Sequence, residues 1–142
     1  MNIRINHVAV WILIVIYFLI GWGWYAIWGD TWLNLHAKNA TDIEHTHNIG
    51  AYVLAFVASI VINYVLAVLI ARTNPESFWC GLKLALAIWF VLFLEYATIS
   101  VFSAFETNPW PLICIDMGRT LLGMLISGFV LGYWRQRDVA SN

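Results

Sequence analysis

Charge is the scarcest commodity in this chain. Of its 142 residues, 11% are charged, where an average soluble domain carries about 25%. A chain that is 62% hydrophobic cannot cover its surface with polar groups in water, so lipid must solvate much of it. The formal net charge is −1, and no polybasic run is present, which excludes the electrostatic footprint of a nucleic-acid partner. Cysteine is sparse too. Cys80 and Cys114 fall near opposite faces of the membrane in the topology below, so no disulfide is expected between them, and no paired-cysteine metal motif exists. Period-2 alternation is absent, which excludes strands. No small-x-small cleavage pattern follows the first apolar run, so that run is expected to remain as an anchor.

What the chain has is long apolar runs. Four of them, about 7–28, 49–71, 78–102 and 110–134, can each cross about 30 Å of hydrocarbon. Backbone groups must be satisfied within each segment there, so the runs are helices. The expected fold is all-α: one polytopic membrane domain, 1–142, with four transmembrane helices in an up-down bundle. Thr73-Asn74-Pro75-Glu76 and Glu106-Thr107-Asn108-Pro109 are tight connections, which makes consecutive helices antiparallel neighbours. The connection 30–48 is the long one. In it, Thr41-Asp42-Ile43-Glu44 reads as a capping box, which would start the second helix near 42. Residues 31–37 could form a separate short interfacial helix.

Orientation follows from the basic residues. Arg4, Arg72, Arg135 and Arg137 share one side and Lys38 stands on the other. The positive-inside rule therefore puts both termini in the cytoplasm of a bacterial-type inner membrane.

The end of the first run is rich in glycine and aromatics. Gly21, Tyr25, Trp28 and Trp32 share a helix face. Nine tryptophans in the chain suit an interfacial girdle, but Trp22 and Trp24 lie below the interface and could wall a ligand or cation, and Gly21 and Gly23 would admit a close helix. The pattern Gly21-x-x-Trp24-Tyr25-x-x-x-Gly29-x-x-Trp32 resembles the signature of a family of small bacterial four-helix membrane proteins catalogued as domain of unknown function 1761. An acidic start to the second helix and the ending Gly132-Tyr133-Trp134 are also similar. The resemblance implies the fold and brings no activity.

The fourth run carries Asp116 and Arg119, which are costly in lipid unless partnered. Counting 1.5 Å per residue, Glu95 in the third run lies ~10 Å below the outer end, Asp116 ~9 Å and Arg119 ~13 Å. The three form a candidate buried charge site, with Glu95–Arg119 the expected ion pair. Two carboxylates for one guanidinium leave one negative charge over, which would take a proton or a cation. Trp24, Tyr25, Trp28, Asn63, Thr98 and Thr120 are candidate pocket-lining residues. Ser59, Asn63 and Ala67 form a stripe expected to face the bundle centre. Gly128-x-x-x-Gly132 could be an oligomer contact.

A metal site is the weaker reading of His36, His45 and His47, because His45 and His47 point about 200° apart on a helix. No buried histidine pair is available for haem, no cofactor is expected, and no nucleophile–base set is visible. Beyond the bilayer itself, the partners to weigh are a proton, a cation or a small amphiphile, or another copy or membrane protein. The leading function is a small binding or transport protein with a polar and aromatic pocket in the outer half of the bilayer. The alternative is a non-catalytic accessory subunit of a larger membrane complex.

Overall fold

Asn6 opens the first helix, its side-chain oxygen accepting the Ala9 backbone N–H at 3.1 Å, as an N-cap should. The computed structural model of the protein describes residues 5–36, 49–73, 77–103 and 108–140, with side chains as far as 135. These residues form four helices: α1 His7–Leu35, α2 Ile49–Thr73, α3 Phe78–Ser103 and α4 Trp110–Ala140. Each is long and apolar enough to cross a membrane, and no strand occurs among the described residues. Asn108 starts α4, accepting the Trp110 N–H on its side chain at 3.2 Å.

The first helix differs from expectation. It does not stop near Trp28 to be followed by a separate interfacial helix; it runs through Gly29 and Asp30 to Leu35. Nothing lies within 4 Å of where a Gly29 Cβ would be, so this glycine marks no crossing and no break. At ~43 Å, α1 is longer than the hydrocarbon layer. His36 ends it, its backbone N–H bonding the Trp32 and Leu33 carbonyls. The proposed capping box at 41–44 lies outside the described residues.

The order around the bundle is α2, α1, α4, α3; among neighbours in that order, α3 and α4 are in the most extensive contact and α2 and α3 in the least. Glycine explains the close pair. A Cβ at Gly81 would collide with the Gly128 carbonyl oxygen and stand 2.9 Å from Gly132 Cα. The Gly128/Gly132 spacing therefore serves this internal seam and is not left for a second copy. On the α1–α4 seam, the Tyr17 ring lies flat over Gly123, 2.5 Å from where its Cβ would be.

The solid core lies at the end of the bundle that carries Asn6. There Val10, Leu13 and Ile14 meet Leu66, Ile70, Met124 and Leu131. The polar stripe of α2 faces inward: Ser59, Asn63 and Ala67 are all buried. Asn63, with no exposed surface, accepts from Ser127 Oγ at 2.7 Å and donates to the Ser59 carbonyl at 2.9 Å. An interhelical bond of this kind contributes about 0.6 kcal/mol in membrane proteins.

The glycine seam gives a direct test. Gly81→Leu or Gly128→Leu should lower the unfolding stability of detergent-solubilised protein by at least about 1–3 kcal/mol, the usual cost of overpacking. Gly23→Ala, where nothing lies within 4 Å, should be neutral or stabilising by up to about 1 kcal/mol. Thermal unfolding followed by circular dichroism separates the two outcomes.

Candidate functional site

Asp116 sits six residues into α4, half-buried, and three side chains from two other helices converge on it. Tyr25 donates to Oδ1 at 2.6 Å, Trp32 Nε1 donates to the same oxygen at 3.1 Å, and Tyr96 donates to Oδ2. Tyr25 and Trp32 are seven residues apart on α1, two full turns, so a continuous helix through Gly29 presents both to one point. Breaking α1 at Trp28 would have removed Trp32 from that face. Tyr96 arrives from α3 at a depth of ~10 Å, level with Asp116. Thr120, one turn further along α4, donates back to the Asp116 carbonyl at 3.1 Å.

This arrangement replaces the ion pairs expected from the charges. No ion pair joins Arg119 to Asp116 or to Glu95. The reason is Tyr25. Its hydroxyl occupies the Asp116 carboxylate while its ring lies 5.9 Å from the Arg119 guanidinium carbon. One tyrosine therefore satisfies the anion by hydrogen bonding and the cation by its π face. Arg119 packs its Cδ and Nη1 over Gly21, 3.8 and 3.3 Å from where that residue's Cβ would be. Its buried Nε meets no acceptor. Glu95 is exposed on the flank of α3 and makes no hydrogen bond or ion pair among the described residues.

The open α2–α3 seam leaves a cleft of about 340 Å³. Ala55, Ala58 and Ile62 of α2 face Leu92, Glu95, Tyr96 and Ile99 of α3. Tyr17, Met117, Arg119 and Thr120 form the floor. Its walls are thus mostly apolar, with Tyr17, Glu95, Tyr96, Arg119 and Thr120 carrying the polar groups. That volume is at the small end of the range for ligand pockets, about 300–1,000 Å³.

The other candidate residues divide. Trp24 stacks over Gly118, one ring carbon 3.1 Å from where a Cβ would be, and its buried Nε1 has no acceptor. Trp28 lies against Trp24 at 6.4 Å between ring centroids. Neither lines the cleft. Asn63 belongs to the core pair with Ser127. Thr98 is exposed and bonds the Leu94 carbonyl at 2.7 Å. His36 donates from Nδ1 to the Trp32 carbonyl at 2.9 Å and lies tilted against that indole, 4.0 Å between ring centroids. His45 and His47 lie outside the described residues.

Trp89 and Tyr96 carry polar contacts that the charge pattern did not point to. A sequence signal did exist: a Tyr or Trp well inside an apolar helix has a polar tip that seeks a partner. Trp89 Nε1 finds the Met117 carbonyl at 3.0 Å, next to Asp116.

The tyrosine clamp makes a measurable claim. Tyr25→Phe and Tyr96→Phe should each lower unfolding stability by about 1.5–3 kcal/mol, the range for bonds to a charged group. In the Asp116→Asn background the same substitutions should cost less, giving a coupling above about 0.5 kcal/mol in a double-mutant cycle. Exposed Glu95→Gln should stay within about 0.5 kcal/mol of the parent.

Comparison with curated proteins and with solved structures finds no match. The family model described as "Protein of unknown function (DUF1761)" matches residues 8–132. The match runs from the first turn of α1 to Gly132 in α4, across the Tyr25–Trp32 face, the glycine seam and the Asp116 clamp. The chain belongs to this DUF1761 family of proteins of unknown function.

Proposed function

We propose that this protein binds a small amphiphile within the membrane, as a receptor or carrier, through the cleft between α2 and α3. The carrying observation is a guanidinium with no hydrogen-bonded acceptor at the floor of an apolar-walled cleft. A proton- or cation-coupled site built on Asp116 would need that carboxylate's lone pairs free, and Glu95, the carboxylate of the cleft, shares it with the Arg119 cation. Asp116 is instead occupied by three donors, which shifts the balance from a cation toward a molecule with an apolar body and a polar head. The weak α2–α3 contact supports lateral entry from lipid, with no passage through water.

We further propose that the membrane is a bacterial cell membrane with both termini cytoplasmic. Arg4, Arg72, Arg135 and Arg137 against Lys38 support that orientation. The cleft then opens in the outer half of the bilayer.

Two outcomes follow. Ala58→Trp, a large ring placed on the exposed wall of the cleft, should abolish retention of co-purifying lipid-like molecules seen by native mass spectrometry, while the thermal midpoint is maintained. Retention equal to that of the parent would remove the cleft as the binding site. On a cysteine-free background, Lys38→Cys should react with a membrane-impermeant maleimide in intact cells, and Asn142→Cys should react only after lysis. The reverse pattern would invert the topology.

A further inference from the structure

We propose that the cleft selects a zwitterionic headgroup, an anionic group seated on Arg119 and a primary ammonium on Glu95, and so takes an aminoalkyl-phosphate amphiphile in preference to a purely anionic one. This rests on the amphiphile reading above and adds the chemistry of the head.

The argument is one of unmatched charges. Arg119 and Glu95 line the same cleft. They carry opposite charge, yet no ion pair joins them, and neither has another charged partner among the described residues. Asp116 makes no ion pair with Arg119; Tyr25 bonds the carboxylate and offers its ring to the guanidinium. The cleft therefore presents one cation on its floor and one anion on its flank, both at a depth of ~10–13 Å along their helices.

At that depth an isolated charge is expensive. A monoanion bound to Arg119 would sit beside the Glu95 carboxylate and be repelled by it. A monocation on Glu95 would leave Arg119 unmatched. A head bearing both charges answers both sites, and the guanidinium fork suits a phosphate or carboxylate as acceptor. An ammonium with N–H groups can donate to Glu95, which a quaternary ammonium cannot. The apolar walls from Ala58, Ile62, Leu92 and Ile99 take the first part of the chain.

The test uses the full-length protein in dodecyl maltoside, titrated with dioleoyl phosphatidylethanolamine or dioleoyl phosphatidylglycerol and read by native mass spectrometry. The parent should bind the ethanolamine lipid about tenfold more tightly, the value of one good charge-assisted contact. Glu95→Gln, on the exposed flank, should bring the two lipids within about twofold of each other, since the ammonium contact and the repulsion both disappear. Arg119→Gln should weaken both lipids, and Arg119→Lys should restore part of the loss. A thermal melt on each variant separates lost binding from lost fold.

Soluble phosphoethanolamine locates the source. If it displaces the lipid only at far higher concentration, the ligand comes from the bilayer; if it competes equally, headgroup recognition holds and a soluble molecule is the source. Glycerol lipid bound as tightly as ethanolamine lipid, or a preference unmoved by Glu95→Gln, overturns the zwitterion proposal and leaves amphiphile binding standing. Failure of the parent to hold any of these probes overturns both.

Discussion

A carboxylate held by two tyrosines and a tryptophan organises one half of this bundle. In lipid, an ionised Asp116 without donors would carry a large desolvation cost. Tyr25, Trp32 and Tyr96 supply those donors from α1 and α3, so the requirement of one side chain on α4 draws the other two helices to it. The length of α1 suits the same need, since Trp32 can reach Asp116 only if the helix continues past Gly29.

The clamp has a consequence for charge. With its oxygens occupied by neutral donors, Asp116 does not serve as the counter-ion of Arg119, although the two are only three residues apart. Tyr25 holds both through different parts of one side chain. The guanidinium is left over its π face and over Gly21, at the floor of the cleft. Where the charges alone suggested a surplus anion waiting for a cation, the geometry supports a cation waiting for an acceptor, with Glu95 set apart on the flank.

The two ends of the molecule use different packing rules. Toward Asn6, glycine contact between α3 and α4 and a dry apolar cluster close the bundle. Toward the far end, aromatic side chains from α1 take over, and α2 and α3 stand apart. Only three residues, 74–76, separate the described ends of α2 and α3 in sequence, yet the two helices are not packed together along their length. The small residues that permit close approach lie on the α3–α4 seam, and Ala55 and Ala58 on α2 face the cleft instead.

By itself the sequence determined the class of fold. Four apolar runs in a chain with 11% charged residues admit only helices in lipid, because unpaired backbone groups cannot be left there. It also located the residues of interest, since Asp116 and Arg119 stand out in any apolar run and the inward stripe Ser59, Asn63 and Ala67 is visible from spacing alone. Tertiary structure decided the partners. Spacing along a chain gives depth and face to within a turn, but whether Arg119 meets a carboxylate or a tyrosine ring depends on side-chain directions across three helices. Tyr96 could not be chosen over its neighbour Glu95 from the sequence, because both lie at the same depth and differ by only 100° around α3. That rotation puts the tyrosine on Asp116 and the glutamate on the rim of the cleft.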